Sequence, residues 1–173
     1  RRPFVTGALA HGPVWLWMIG VMVLGSTLAA AWAINVLAAL YVFLGAFFYA
    51  VVYTVWLKRR TWLNIVVGGL AGSFAVLAGA ATVTPQLDPL PLSLALVLFL
   101  WTPPHFWSLA IAYHDDYSAA NVPMLPVVIG KAAAARVILG NTVLLVAASL
   151  LPAWYGAGPI YLAGAMMGGA YFL

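Results

Sequence analysis

The chain has 173 residues, of which 66% are hydrophobic and only 6% are charged. Soluble domains average about 45–50% apolar and about 25% charged residues, and ten charged side chains do not cover a water-exposed surface of this size. The composition therefore excludes a soluble enzyme, a nucleic-acid-binding module and a disordered chain, and it indicates an integral membrane protein. The absence of cysteine also excludes disulfides, thiolate metal sites and cysteine nucleophiles.

Apolar segments follow one another along almost the whole chain. A helix needs about 20 apolar residues to cross a hydrocarbon layer of ~30 Å, and period-two alternation, the signature of membrane strands, is absent. We therefore predict an all-α fold, a polytopic transmembrane helix bundle that forms a single domain over residues 1–173. The predicted spans are 14–33, 36–57, 63–83, 90–112, 137–156 and 159–173.

The cations of the chain give this bundle an orientation. Placing six spans alternately puts all seven Lys and Arg residues on one side, and cytoplasmic loops are enriched in these residues. We expect the basic side to face the cytoplasm, or the matrix if the protein is mitochondrial. The cations precede span one, follow span two or lie between spans four and five: Arg1, Arg2, Lys58, Arg59, Arg60, Lys131 and Arg136.

Two neighbouring acids begin the long connection between spans four and five, on the basic side. Asp115 and Asp116 are hard oxygen ligands suited to Mg²⁺, which usually bridges one or two carboxylates to substrate phosphates. Cations on the same side are suited to a diphosphate. The simpler interpretation of the acids is a polar helix end, and the simpler interpretation of the cations is charge that sets the membrane topology. For each feature, the ligand-binding interpretation and the simpler one stay open here.

Span four combines Pro103 and Pro104 with an ionisable residue, His105. Prolines in a membrane helix free backbone carbonyls, which then face protein or a water-filled cavity. A histidine at this depth is a functional candidate, and imidazole is a common ligand of haem iron. A buried histidine bonded to a freed carbonyl is the structural alternative. The connection 113–136 is expected to lie over a cavity as a lid or re-entrant piece, or to rest in the membrane interface.

Two pairs of glycines are spaced four residues apart, Gly68 with Gly72 and Gly164 with Gly168. Small residues at this spacing allow helices to approach closely in a membrane. We therefore interpret both pairs as packing motifs.

Three strings in the second half of the chain resemble a known family: LWTPPHFWSLA over 100–110, DDY over 115–117 and ANVPMLPVV over 120–128. RPFVTG over 2–7, LKRRT over 57–61 and NIVVGG over 64–69 agree with the same family. Together they closely resemble the protohaem IX farnesyltransferases (haem O synthases), a branch of the UbiA-like intramembrane prenyltransferases. The resemblance implies a helical bundle of about nine spans around a central cavity, of which this chain supplies about six.

The resemblance also implies a reaction and a site. The farnesyl group of farnesyl diphosphate would join a vinyl group of haem B, giving haem O and diphosphate. Asp115 and Asp116 would be catalytic and would hold Mg²⁺ together with a second acidic motif upstream. The implied diphosphate contacts are Arg2, Lys58, Arg59, Arg60 and Asn64. The implied haem contacts are His105, Trp101, Trp107 and Tyr117.

The remaining expectations concern context. The family's first Asp-rich motif is expected just before Arg1, so we expect a domain truncated at both ends that is inactive alone. The expected partners are haem B, farnesyl diphosphate, the lipid bilayer and either haem A synthase or a terminal oxidase, with no nucleic acid. The expected location is the bacterial inner membrane, or the mitochondrial inner membrane in a eukaryote. The alternatives are a quinone-type prenyltransferase, a transporter fragment and a haem-handling protein without enzymatic activity.

Overall fold

The computed structural model describes residues 6–10 and 12–173, and all regular structure in this part of the chain is helical. This confirms the all-α prediction. Eight α-helices follow one another: α1 (Val14–Ala33), α2 (Val36–Phe47), α3 (Asn64–Ala81), α4 (Pro89–Ala112), α5 (His114–Ala119), α6 (Leu125–Ile129), α7 (Lys131–Ala148) and α8 (Gly158–Phe172). A π-helix, Phe48–Leu57, continues α2, and a short π-helical turn, Ala153–Ala157, precedes α8.

Five of the described helical segments are long and apolar enough to cross a membrane: Val14–Ala33, Val36–Leu57, Asn64–Ala81, Pro89–Ala112 and Lys131–Trp154. They confirm the first four predicted spans within a few residues. The last predicted span, 159–173, is a 15-residue helix, which is shorter than the roughly 20 residues that a bilayer requires.

The fifth span begins earlier than predicted. Lys131 and Arg136 lie in the first two turns of α7, whereas we expected them in the preceding loop. The segment between them consists of alanine, the strongest helix former, and Lys and Arg are good helix formers as well. The helix therefore extends to Gly130, whose φ of +83° separates it from α6.

The core of the bundle lies around α3 and α4. Helix α3 packs between α2 and α4, α7 packs on the other side of α4, and α1 packs on α2. In α3 the first predicted glycine pair is confirmed, since a Cβ at Gly72 would come within 3.3 Å of Leu98. The second pair has no packing partner among the described residues, because a Cβ at Gly164 or Gly168 would meet nothing within 4 Å.

The prolines of α4 free a carbonyl that a neighbouring helix then satisfies. Pro104 has no N–H to donate to the carbonyl of Leu100, four residues earlier. The side-chain amide of Asn141, on α7, donates to that oxygen at 2.7 Å. The freed carbonyl therefore faces protein, as the sequence predicted, and the bond ties α7 to the proline-containing turn.

The long connection is packed against the bundle. It contains α5 and α6, and Met124 and Leu125 are buried in one cluster with Trp107, Ala110 and Ala134. The connection thus forms part of the wall at this end of the bundle.

Candidate functional site

A cleft of about 810 Å³ opens between the π-helix, α3, the end of α4 and the connection that follows it. This volume is in the range of small-molecule sites, about 300–1,000 Å³. Its lining combines two cations and one acid with aromatic and aliphatic side chains: Tyr53, Thr54, Lys58, Arg59, Ile65, Phe106, Tyr113, Asp116, Tyr117, Ala120, Val122 and Met124.

The π-helix brings Lys58 to the cleft. Its hydrogen bonds span five residues, as in the bond from the Lys58 N–H to the Tyr53 carbonyl at 2.8 Å. Residues five apart therefore lie above one another, and Tyr53 and Lys58 both line the cleft. The Lys58 Nζ lies 5.8 Å from the centre of the Tyr53 ring, which is within the range of a cation–π interaction.

The two neighbouring acids face different surroundings, although the sequence assigned them one role. Asp116 lines the cleft together with Lys58 and Arg59. The Asp115 side chain is 98% exposed, and its Oδ1 lies 3.1 Å from Nδ1 of His114. That hydrogen bond, followed by the positive charge of Lys131, lowers the pKa of Asp115. Consecutive residues of an α-helix are about 100° apart around its axis, so Asp116 alone of the pair reaches the cleft.

The predicted diphosphate contacts are only partly brought together. Lys58 and Arg59 line the cleft, whereas Arg60 is exposed and is not among its lining residues. Asn64 is completely buried, and its amide donates to the Lys58 carbonyl at 3.2 Å. Asn64 therefore supports the turn that carries the cations and does not line the cleft. Arg2 lies outside the described residues.

The four predicted haem contacts do not form one site. Tyr117 lines the cleft. The His105 ring stacks on Trp101 at 5.6 Å between centroids, on an exposed face of α4. Trp107 points into the core with only 3% of its surface exposed, and its Nε1 has no hydrogen-bond partner. Trp101 and His105 share one side of α4, four residues apart, whereas Trp107 lies on another side, so the structure does not bring Trp107 together with the other two.

An apolar recess of about 130 Å³ adjoins the cleft. Tyr53, Ile65 and Phe106 line both spaces. The recess has no charged residue in its lining, which is completed by Tyr49, Gly68 and Thr102. The whole site is therefore amphiphilic, with charge at the end of the bundle and an apolar space deeper between the helices.

Comparison with known proteins gives the family of this chain. Residues 1–173 match the UbiA prenyltransferase family. The chain belongs to that family. It is 62% identical over its full length to protoheme IX farnesyltransferase 2 of Paramagnetospirillum magneticum and 56% identical to protoheme IX farnesyltransferase 1 of the same organism. It is 41% identical, again over its full length, to protoheme IX farnesyltransferase 1 of Cenarchaeum symbiosum.

The chain spans about three fifths of these relatives: 60%, 61% and 58% of their lengths, in the same order. No solved structure matches it significantly. Membership of the UbiA family and five apolar helices identify the chain as part of an integral membrane protein.

The donor set of this UbiA-family cleft is compatible with Mg²⁺ held jointly with a substrate. The described residues contain no group of three or more metal-binding side chains, and Asp116 is the only carboxylate among the lining residues. Mg²⁺ keeps several waters and is often bound through one or two carboxylates plus substrate phosphates. Asp116 therefore fits as one ligand of such an ion.

Several cleft residues were not predicted as site residues from the sequence. Tyr53, Thr54, Phe106 and Tyr113 line the cleft, but only their place inside or beside the family-like strings marked them. The side of the helix that Tyr53 and Thr54 occupy depends on the π-helical hydrogen bonds, which hydrophobic periodicity did not predict.

Proposed function

We propose that the protein transfers the farnesyl group of farnesyl diphosphate to a vinyl group of haem B, releasing diphosphate. One observation carries this proposal: Lys58, Arg59 and Asp116 gather at the charged end of a cleft that continues into an apolar recess. This arrangement is complementary to a substrate with a diphosphate head and an isoprenoid tail. The names of the relatives, all protoheme IX farnesyltransferases, support haem as the acceptor.

The charged end supplies the leaving-group chemistry. In the proposed step the C1–O bond of farnesyl diphosphate breaks, and its electron pair leaves with the diphosphate. Lys58 and Arg59 donate hydrogen bonds to the diphosphate oxygens and stabilise the charge that develops there. Mg²⁺, held through Asp116, would supply further positive charge to the leaving group when bound.

The aromatic residues of the cleft surround the allylic carbon. Tyr53, Phe106 and Tyr117 line the cleft. In the proposed step their rings attract the allylic cation and shield it from water that would hydrolyse it. The terminal vinyl carbon of haem B forms the new bond to C1. A water molecule then adds to the adjacent carbocation and releases a proton, which balances the step.

The size of the cleft determines where haem can enter. A cleft of about 810 Å³ is in the range of a site for one small molecule such as farnesyl diphosphate. We infer that the porphyrin approaches from the open side of the cleft. His105 and Trp101 are the proposed contacts on that approach, because the His105 ring meets the edge of Phe106 at 5.1 Å between centroids.

The context of the reaction is part of the proposal. We propose an inner-membrane protein whose active end faces the cytoplasm, with haem A synthase or a terminal oxidase as the protein that receives the product. Lys58, Arg59, Lys131 and Arg136 all lie near the cleft end of the bundle, and the positive-inside rule supports this orientation.

The test is transfer by the complete gene product in lipid vesicles. With haem B, farnesyl diphosphate and Mg²⁺, we expect diphosphate release and a haem product whose mass has increased by a farnesyl group and a hydroxyl group. An aromatic quinone precursor offered in place of haem B tests the quinone-type alternative, which would be favoured by transfer to that acceptor alone. No transfer to either acceptor would support the transporter or haem-handling alternatives.

A matched pair of variants connects this reaction to the cleft. Arg59→Gln removes a cation from the lining, whereas Arg60→Gln removes one beside it. We expect about a 100-fold loss of kcat/KM for Arg59→Gln, the magnitude typical of a lost donor to a developing charge, and a smaller loss for Arg60→Gln. Equal losses would contradict the assignment of the cleft as the diphosphate site.

A further inference from the structure

Two buried polar atoms near the charged end of the cleft have no hydrogen-bond partner within the described part of the chain, Oδ1 of Asn64 and Nε1 of Trp107. Asn64 is completely buried, and Trp107 is 3% exposed. The Lys58 carbonyl only accepts hydrogen bonds, so the amide nitrogen of Asn64 faces that carbonyl and the amide oxygen is the free atom. One of the two atoms is therefore an acceptor, and the other, an indole N–H, is a donor.

The packing of α3 against α4 places these two residues at the same level of the bundle. Helix α3 begins and α4 ends at the cleft, so the two helices run antiparallel. A Cβ at Gly69 would come within 3.1 Å of the Thr102 Cβ. Asn64 and Trp107 each lie five residues further toward the cleft, and both helices rise equally per residue. Ile65, beside Asn64, is buried in one cluster with Trp107.

Both residues also support the turn 58–63, which carries the cations of the cleft. The Asn64 amide donates to the Lys58 carbonyl at 3.2 Å. The ring of Trp62, on the same turn, lies 6.2 Å from the ring of Trp107 between centroids, at an angle of 52°. The turn is thus held by a hydrogen bond from α3 and by an aromatic contact from α4.

The two free atoms are complementary to one another. A buried polar group without a partner destabilises the folded protein, and protein interiors satisfy such groups with another polar group or with an enclosed water. Both atoms are already enclosed by the described residues, so a segment outside these residues does not reach them. One water between α3 and α4 satisfies both atoms, since it accepts from the indole N–H and donates to the amide oxygen.

We propose that Trp107 is a positioning residue of the diphosphate site. One enclosed water joins its indole N–H to Oδ1 of Asn64 and fixes the amide that holds the Lys58 carbonyl. This link keeps the side chains of Lys58 and Arg59 in the cleft. Neither Trp107 nor Asn64 is among the lining residues, so both act through the turn. The inference rests on the proposed function, since the cations are positioned for the diphosphate head of the substrate.

The experiment measures the binding of inorganic diphosphate, with Mg²⁺ present, to the complete gene product by calorimetry in micelles. Trp107→Phe removes the indole N–H and keeps an aromatic ring beside Trp62. We expect the Kd for diphosphate to rise about tenfold, as for the loss of a group that orients a binding residue. The Kd for haem B, measured by absorption, should stay at the wild-type value. A folding defect alone would lower the number of binding sites and leave the affinity unchanged.

Ser73→Ala is the matched control at the same pair of helices. The Ser73 hydroxyl is buried and donates to the Ala95 carbonyl at 2.9 Å, so this variant also loses a hydrogen bond between α3 and α4. Ser73 lies about two and a half turns further from the charged end than Asn64 does. We expect the control to keep the wild-type Kd for diphosphate. An equal rise in both variants would indicate a general loosening of the bundle and would overturn the inference.

The wild-type protein decides the question even if Trp107→Phe does not fold. In an experimental density map of the complete gene product that shows ordered water, we expect one water within about 3 Å of both Oδ1 of Asn64 and Nε1 of Trp107. A dry site, or a separate partner for each atom, would overturn the inference.

The outcomes separate the inference from the function on which it rests. If Trp107→Phe binds diphosphate as the wild type does, or weakens the binding of haem B alone, Trp107 does not position the cations, and the farnesyl-transfer proposal stands. If the wild-type protein binds diphosphate but transfers no farnesyl group, the proposed function fails, and the affinity of Trp107→Phe still tests the positioning role. If the wild-type protein does not bind diphosphate, both fail.

Discussion

At the scale of single residues, the most informative contrast is between the two neighbouring acids. Asp116 lines the cleft beside Lys58 and Arg59, whereas Asp115 is exposed and bonded to His114. The sequence offers no way to rank them, because both are acids on the same short helix. Their different surroundings separate a proposed metal ligand from a residue that the structure places outside the cleft.

This contrast predicts unequal effects of the same substitution. Asp116→Asn should lower kcat/KM for farnesyl diphosphate by about 100-fold or more, because it removes charge that would hold Mg²⁺ at the developing leaving group. Asp115→Asn should lower it less than about tenfold, since no lining contact is lost. Steady-state kinetics of the complete gene product check both values. A larger loss for Asp115→Asn would contradict the assignment of Asp116 as the metal ligand.

The Asp115–His114 contact also predicts a titration. Its pKa is lowered chiefly by the hydrogen bond with His114, then by the charges of Lys131 and His114. A lowered folded-state pKa means that the contact stabilises the protein above the ordinary pKa of aspartate and that this contribution is lost as pH falls through the lowered value. His114→Ala should raise the pKa of Asp115 toward its ordinary range. Carboxyl NMR titration in micelles measures the shift, and an unchanged value would contradict the hydrogen bond.

At the scale of elements, two irregular helices position the site. The π-helix Phe48–Leu57 aligns Tyr53 with Lys58, and the proline-containing turn of α4 is tied to α7 through Asn141. π-Helical segments are rare in proteins, and those that occur are frequently found at functional sites. In both elements the departure from regular α-helical hydrogen bonding is accompanied by contacts from a neighbouring helix.

The proline turn predicts an energetic coupling. Asn141→Ala leaves the Leu100 carbonyl without its donor and should destabilise the protein by about 1 kcal/mol, within the range measured for hydrogen bonds between membrane helices. In the Pro104→Ala background the same substitution should have a smaller effect, because the new N–H at position 104 bonds that carbonyl. A double-mutant cycle of unfolding free energies in bicelles gives the coupling. Additive effects would show that the two groups are independent.

At the scale of the whole molecule, the apolar helices and the distribution of charge predict a membrane topology. Helix α4 is 24 residues long, which corresponds to about 36 Å, so its two ends lie on opposite sides of a bilayer. Gln86 precedes it and Ala119 follows it. The cleft with its cations lies at the end that follows α4.

The absence of native cysteine makes this topology directly measurable. A cysteine introduced at Gln86 should react with an impermeant maleimide from the outside of intact cells. A cysteine at Ala119 should react only after the membrane is opened. Labelling of both positions from the same side would contradict the topology and the proposed cytoplasmic cleft.

Much of the fold was predictable because it depends on local or additive properties. Hydropathy located the first four spans, and the family-like strings marked Lys58, Arg59 and Asp116 as site residues. The fifth span was placed too late because charges at 131 and 136 were interpreted as loop, although alanine makes that segment helical. The burial of Trp107 in the core was not predicted, because the sequence does not show which side of α4 faces the core.

The sequence by itself determined that this is a helical membrane protein of the UbiA type with its cations at one end, because composition, hydropathy and motif strings are properties of short segments. Only the tertiary structure decided which acid reaches the cleft, how the π-helix turns Tyr53 toward Lys58 and where a recess forms. These features depend on contacts between distant segments, such as Gly68 with Tyr53 and Asn141 with Leu100. Their geometry is fixed by close packing and by polar groups that have no hydrogen-bond partner within their own helix and bond to a neighbouring one.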